Sequence, residues 1–254
     1  GLIRFDPSTS FLPTNCSLHM KTSHKIFTLL AVTLLFSCTA LDKPGSSPGS
    51  QQISTSMLLD DSPLMKGIQP LDLSQVDVLG LSPQMIDFLD RWIDKHQRDY
   101  FKLRSLLYAV MVDGTFELIY DDTTSTARDT FRAQRGNCLS FTSMFVAMAR
   151  YLELEANFQE VMVPMDWSAE GQTIILSQHV NVHVNTDSTQ DLIVDFNMYD
   201  FKTSYEMQVV SDERGRAHYF NNIGVEHMLE GETPLAFANF RQSLREDMSF
   251  SPVW

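Results

Sequence analysis

The feature that most constrains this fold is an apolar helical run that begins directly at a cysteine. Residues 135–152 read RGNCLSFTSMFVAMARYL, with a Gly-Asn turn immediately before Cys138. Apolar side chains recur along one stripe of this run at helical spacing: Phe141, Phe145, Met148, Ala149 and Leu152. The pattern predicts a helix that is buried along this stripe and carries Cys138 in its first turn.

The position of Cys138 suits a nucleophile, because the free N–H groups and the positive dipole end of a helix start favour a thiolate over a thiol. Taken alone, the position fits a small buried core cysteine at least as well, since free cysteine is among the most buried residue types. Two later strand-like runs favour the nucleophile. One carries His179, and the next carries Asp195 among apolar residues. A nucleophile, a base and a residue that orients the base therefore follow one another along the chain.

This order resembles the core of the transglutaminase-like superfamily, a thiol-enzyme branch of the papain-like folds. The likeness covers roughly residues 125–200 and rests on Gly-x-Cys at the helix start, the helix exit ARYLELEA, the histidine strand and the Val-Asp strand. It implies an α+β fold in which a Cys138-bearing helix packs on an antiparallel sheet that carries His179 and Asp195. N-terminal helices and a C-terminal helical hairpin would complete the fold.

Three positions depart from the family pattern. Asn181 stands two places after the histidine, where the family has an aromatic residue. Glu153 stands where a helix-ending glycine is usual, and Phe196 follows the aspartate.

The resemblance implies acyl transfer on amide bonds of a protein or peptide substrate. Cys138 would be the nucleophile, His179 the general base and Asp195 the residue that holds the imidazole tautomer. Water as the second substrate gives a peptidase or amidase, and an amine gives a transglutaminase; the sequence does not choose between them. Neither a metal nor an organic cofactor is implied. The alternative is an inactive binding module that keeps the fold and acts through its C-terminal repeat.

A second histidine, His183, shares the strand face of His179 because the two are four residues apart. The family's His-x-aromatic spacing selects His179, with His183 as the second choice. A metal site that joins both histidines with Cys138 and Asp195 is disfavoured, because the sequence has no compact zinc-ligand spacing.

The N-terminal region is typical of an exported lipoprotein. Residues 20–37 combine a charged start, an apolar run of 11 residues (26–36) and a final small residue, the pattern of a signal peptide. The run is short for a transmembrane helix, although a membrane anchor or a buried helix is the alternative. The sequence LFSC resembles a bacterial lipobox, which implies lipidation of Cys38 and removal of the residues before it.

We therefore expect residues 1–19 to be an upstream non-native segment and residues 38–62 to be a flexible tether rich in Gly, Ser and Pro. The residue after the lipidated cysteine is not aspartate, which by resemblance favours the periplasmic face of the outer membrane. Cys138 then remains as the only thiol of the exported chain, because Cys16 precedes the expected start. An odd cysteine in an exported protein indicates a reactive thiol.

The charge of the chain excludes other classes of partner. The net charge is −13, and residues 1–37 hold three basic residues and one acidic, so residues 38–254 carry −15. Such an acidic chain is a poor ligand for nucleic acid or for anionic membrane surfaces. Membrane attachment would therefore depend on the acyl chains.

We assign residues 63–212 to the transglutaminase-like domain with its N-terminal helices, and residues 213–254 to a helical hairpin. The hairpin resembles one tetratricopeptide repeat, whose 34-residue period places Trp254 at the start of a next repeat. One repeat cannot bury both of its faces. Either the sequence stops inside a repeat array, with a protein partner at the repeat, or the hairpin docks on the catalytic domain; an ordinary amphipathic hairpin is the alternative. The pattern also predicts two helices over residues 82–112, a helix over 126–133, strands over 158–163, 173–176, 178–184 and 192–196, and a loop over 166–171.

Overall fold

The computed structural model describes residues 2–3, 59–60, 71–111, 118–170, 173–186, 191–196, 204–250 and 252, with the backbone alone over 2–3, 164–170 and 173–177. The expected signal peptide, Cys38, nearly all of the tether and Trp254 lie outside these residues. Within them, no helix is both long and apolar enough to cross a membrane.

The described chain contains six helices, and the fourth begins at the cysteine. Their bounds are α1 (Pro83–Trp92), α2 (Asp99–Met111), α3 (Ala127–Ala133), α4 (Cys138–Tyr151), α5 (Asp212–Leu229) and α6 (Thr233–Glu246). The strands are β1 (Leu2–Ile3), β2 (Ile119–Tyr120), β3 (Arg135–Gly136), β4 (Glu155–Glu170), β5 (Thr173–Asn185), β6 (Leu192–Val194) and β7 (Met207–Val210).

Strands β6, β5, β4 and β7 form an antiparallel sheet in that order. β1 pairs in parallel with β6 at one edge, and β2 pairs in parallel with β3 in front of α4. α4 packs on β4 and β5, and apolar residues of the helix and the sheet form one core. The predicted α+β fold, with a cysteine-bearing helix on an antiparallel sheet, is confirmed.

The helix starts follow from capping residues in the sequence. Ser82 and Thr126 each accept a backbone N–H three residues on, from Met85 and Asp129, at the starts of α1 and α3. Proline occupies the first position of α1, where its missing N–H is harmless. The two helices predicted over residues 82–112, and the short one after them, are confirmed.

Glu153, in the place of the expected helix-ending glycine, has a φ of 62°. This is the left-handed conformation that usually ends a helix at glycine. Glu153 therefore adopts the backbone conformation that the family pattern assigns to glycine, at a steric cost from its Cβ.

The predicted loop over residues 166–171 is wrong for residues 166–170, which form the second half of β4. Asp166 pairs with Ser177 and Glu170 with Thr173, so the two strands predicted over 173–184 are one continuous β5. The ladder changes register between Val161 and Asp166, and that irregularity hides the strand alternation. β7 was not predicted, because none of its four residues is buried and their exposure does not alternate along the strand.

The C-terminal hairpin of α5 and α6 packs against β4. Gly215 lies so close to Phe158 that a Cβ on it would come within 2.6 Å of the aromatic ring. Ser243 Oγ donates to the Ala217 carbonyl over 2.7 Å and joins the two helices. The predicted helical hairpin is therefore observed, and its face toward the sheet is occupied.

Candidate active site

Cys138 is the first residue of α4, and a side-chain cap fixes the start of that helix. Asn137 Oδ1 accepts the Ser140 N–H over 2.9 Å. Gly136 has a φ of 154°, and a Cβ on it would lie 2.7 Å from Ser140 Cβ, so only glycine fits against the first turn. Cys138 itself is half-buried and free, and it is the only cysteine in the described part of the chain.

The cap is held from the outside by the C-terminal hairpin. Asn137 Nδ2 donates to Thr124 Oγ1 over 2.8 Å, and the Thr124 N–H donates to Glu226 Oε1 over 2.9 Å. Glu226 belongs to α5. This chain of hydrogen bonds ties the start of the cysteine helix to an element about 100 residues away in sequence.

The structure brings His179 and Asp195 into direct contact. His179 Nε2 lies 2.8 Å from Asp195 Oδ2, and both side chains are almost fully buried. A carboxylate can only accept, so Nε2 carries the proton of this bond and Nδ1 is the ring nitrogen left for a second partner.

That second partner is Cys138. Burial alone would lower the pKa of His179, but hydrogen bonds with Asp195 and with Cys138, together with their charges, outweigh it and raise the pKa to about 9. His179 is therefore an imidazolium near neutral pH when the thiol beside it is ionised. The three side chains that the sequence selects meet in one cluster.

Residues 87–190 match the family model described as the transglutaminase-like superfamily. This part of the chain is similar to that superfamily. The matched segment contains Cys138 and His179 and ends before Asp195. No curated protein and no solved structure matches the chain.

His183, the second choice for the base, lies elsewhere. Its Nε2 is 3.2 Å from Asp191 Oδ2, at a partly exposed contact at the far end of β5. His183 stands opposite Asn157 in the ladder, whereas His179 stands opposite Val161, so the two rings belong to different levels of the sheet. The contacts of the described residues therefore place His179, and not His183, at the thiol.

Asn181, in the slot of the family's aromatic residue, is a member of the cluster that the sequence analysis missed. It is fully buried, and its Nδ2 donates to Asp195 Oδ2 over 2.9 Å. The signal in the sequence was the His-x-Asn spacing itself, since alternate residues of a strand share one face.

Tyr120 is a second residue that sequence reasoning missed. Tyr120 is paired with Gly136 across β2 and β3, and its ring lies edge-on to Phe141 at 6.4 Å. Burial of the hydroxyl and the charge of Cys138 raise the pKa of Tyr120 to about 12, although a hydrogen bond from the Cys138 backbone N–H acts in the opposite direction. The phenol oxygen therefore lies at the N–H of the candidate nucleophile.

One group in the described residues has a spacing that could hold a metal ion. Ligand atoms of His227, Glu230 and Glu232 lie within 4.8 Å of one another at the turn between α5 and α6. His227 Nδ1 is 2.7 Å from Glu232 Oε2. The three side chains are half-buried or exposed, and the group is separate from Cys138.

Proposed function

We propose that this protein is a thiol-dependent enzyme that transfers acyl groups from amide bonds of a protein or peptide substrate. The observation that carries the proposal is the cluster of Cys138, His179 and Asp195, three residues that lie far apart in sequence. Core packing alone does not require these residue types to meet. The family match over residues 87–190 supports the same reaction class.

In the first half-reaction, the Cys138 sulfur attacks the amide carbonyl carbon as a thiolate, with the thiol proton on His179 Nδ1. The resulting tetrahedral intermediate collapses by breaking the C–N bond. The imidazolium gives its proton to the leaving amine, which departs and leaves a thioester on Cys138. Asp195 accepts the Nε2–H throughout and keeps the ring in the tautomer that this transfer needs.

The negative charge of the tetrahedral intermediate needs hydrogen-bond donors that are already in place. The Cys138 backbone N–H is the first, and it points toward the phenol oxygen of Tyr120 in the present structure. We assign the second donor to the Tyr120 hydroxyl, because its oxygen lies at this N–H and a phenol keeps its proton at neutral pH. A substrate carbonyl would take the place of the phenol oxygen at the N–H.

In the second half-reaction, His179 takes a proton from the incoming nucleophile, which attacks the thioester carbonyl. The C–S bond breaks, the acyl product leaves, and the Cys138 thiolate is restored beside the imidazolium. Water gives hydrolysis, and a primary amine gives transamidation. We favour hydrolysis, by analogy with distant members of such superfamilies.

The proposal is tested by the alkylation rate of Cys138 with iodoacetamide as a function of pH. The rate of the Cys138→Ser variant is subtracted, because Cys16 and Cys38 carry thiols in a chain that has kept its signal peptide. We expect fast alkylation near neutral pH. A rate that rises only above about pH 8.5, as for a free cysteine, would reject the activated nucleophile and favour the binding module.

We further propose that the protein is an exported lipoprotein anchored through Cys38, with its catalytic domain on the periplasmic face of the outer membrane and a tetratricopeptide-like repeat at its C-terminus. The signal-peptide pattern and the lipobox-like LFSC support this proposal. Cys38→Ser should release the protein from the membrane fraction or leave the signal peptide uncut. A variant that fractionates and migrates like the wild type would contradict it.

A further inference from the structure

We propose that Asn181 is a positioning residue of the triad, which holds the Asp195 carboxylate in the orientation that His179 needs. The inference rests on the proposed function and deepens it. It assigns a role to the position at which the chain departs most clearly from the pattern of the superfamily.

The contact geometry is specific. Asp195 Oδ2 receives two donors, His179 Nε2–H at 2.8 Å and Asn181 Nδ2–H at 2.9 Å. The strand register explains why both can reach it. Val194, the last residue of β6, pairs with Val182. Asp195 follows it and stands beside Asn181, and both side chains lie on the face of the sheet opposite to Val194 and Val182. His179 is one pleat further along that face.

The orientation of the amide is determined by this contact. A carboxylate oxygen repels a carbonyl oxygen, so the NH₂ end of Asn181 must face Asp195. Its Oδ1 then points away and, in the described part of the chain, is buried without a hydrogen-bond partner. A buried amide with an unpaired oxygen lowers stability compared with an apolar side chain of the same shape. Stability therefore does not explain the residue, whereas its bond to Asp195 does.

Two consequences follow for the chemistry. The amide fixes the rotamer of Asp195, so that Oδ2 stays in line with the imidazole. It also takes up part of the negative charge on Oδ2, which limits the pull of the carboxylate on the proton of His179. The family pattern has an aromatic side chain at this position, and in this chain the donor to Asp195 is an amide.

The test compares Asn181→Leu, which keeps the approximate volume but removes the donor, with Gln159→Leu. Gln159 is a suitable control because it is a buried amide directly opposite Asn181 in the ladder and makes no described contact with Asp195 or His179. The readout is the titration midpoint of the His179 ring in ¹⁵N-histidine-labelled protein, assigned by loss of its signal in His179→Gln.

We expect Asn181→Leu to raise the midpoint of His179 by about half a unit to one unit, because the full charge of Oδ2 then acts on the imidazolium. Turnover of a peptide amide should fall about tenfold, the usual effect of losing one hydrogen bond to a charged group. Gln159→Leu should leave the midpoint unchanged. A purely structural role for Asn181 would lower the melting temperature of Asn181→Leu and leave the midpoint of His179 unchanged.

An unchanged midpoint in a folded Asn181→Leu protein would overturn the inference. If this variant does not fold, Asn181→Val provides the same loss of the donor with a smaller side chain that suits a strand. Failure of both variants to fold would assign Asn181 to the fold and would also overturn the inference. The ring titration does not depend on turnover. A shifted midpoint in a protein without enzymatic activity would therefore reject the proposed function and keep the Asn181–Asp195–His179 linkage.

Discussion

Two carboxylates on opposite sides of β5 have nearly the same hydrogen-bond pattern and different consequences. Asp195 Oδ2 accepts from His179 and Asn181 in the triad cluster. Glu160 Oε1 accepts from Arg214 Nε at 2.6 Å and His218 Nε2 at 2.7 Å. We call this second group, with Asp247 bonded to Arg214, the hairpin clamp, because it joins β4 to α5 and to the residue that ends α6.

The two groups lie back to back. Glu160 is opposite Val180 and His179 is opposite Val161, so their side chains leave opposite faces of the sheet. The two groups differ chemically in the donor that each carboxylate has in addition to a histidine. In the clamp it is a guanidinium, which stays charged at all working pH values. In the triad cluster it is the neutral amide of Asn181, so the imidazole supplies the positive charge of this pair.

This difference appears in the protonation equilibria. Burial alone would raise the pKa of Glu160, but the hydrogen bonds from His218 and Arg214 outweigh it and lower the pKa to about 2. The clamp is therefore fixed in one charge state. His179, with its pKa near 9, can exchange a proton with the thiol beside it. Under the proposed function, the same geometry holds two elements together on one face of the sheet and transfers a proton on the other.

The largest effect that separates the two groups is expected from Cys138→Ser. Hydrolysis of a peptide amide, or incorporation of an amine, should fall by about 1,000-fold or more, because a hydroxyl beside this imidazole is a much weaker nucleophile. The melting temperature should stay within a few degrees of the wild type, since the residue is half-buried and the hairpin clamp is untouched. Unchanged turnover in this variant would place the chemistry elsewhere in the chain.

The next effect compares two histidines that each contact a buried carboxylate. His179→Gln should slow alkylation of Cys138 near pH 7 by about 100-fold, the lower range of the contribution of a positioned general base. His218→Gln, the matched control in the hairpin clamp, should leave the alkylation rate unchanged and lower the melting temperature. Equal alkylation rates in the two variants would mean that His179 does not activate Cys138.

The triad cluster could be predicted from the sequence, and the hairpin clamp could not. Cys138 could be placed at a helix start because the apolar stripe and the Gly-Asn turn are local signals. The selection of His179 and Asp195 depended on chain order and on the family resemblance. These signals work because residues of one helix or one strand have a fixed relation to each other.

Contacts between distant elements had no such signal. The partners Glu160 and Arg214 are 54 residues apart, and Thr124 and Glu226 are 102 apart. Each is an ordinary surface residue in the sequence, and only the packing of α5 on the sheet makes it a partner. The continuous β4–β5 hairpin was missed for a related reason, because the change of register between Val161 and Asp166 interrupts the local alternation.

The hairpin clamp can be broken without touching the thiol. Glu160→Gln removes the charge that Arg214 and His218 share, and it leaves a partly buried guanidinium with only Asp247 as an acidic partner in the clamp. We expect a loss of about 3 kcal/mol in the free energy of unfolding, as for the removal of one member of a buried ion pair. Chemical denaturation measures this loss. The alkylation rate of Cys138 should be within about twofold of the wild type, and a large decrease would show that the two faces are coupled.

The smallest effects are expected from pH, because protonation changes the charges while every side chain remains in place. The pKa of Glu160 is about 2 in the folded chain and 4.5 in its ordinary state, so the clamp's stabilisation is complete above pH 4.5 and is lost as pH falls toward 2. The pKa of His179 is about 9 against an ordinary 6.5, so its stabilisation is complete below pH 6.5 and is lost as pH rises through 9. Solvent screening reduces each contribution below the roughly 3 kcal/mol that the full shift would represent.

Unfolding free energies measured by urea denaturation from pH 2 to pH 10 should therefore decrease at both ends of the range. Glu160→Gln should remove much of the acid decrease and leave the alkaline one, whereas His179→Gln should do the reverse. These two variants test the difference between the clamp and the triad cluster most directly, because each variant is the control for the other. An alkaline decrease that survives in His179→Gln would mean that the imidazole is not held as a cation between Cys138 and Asp195, and the contrast between a fixed charge and a mobile proton would fail.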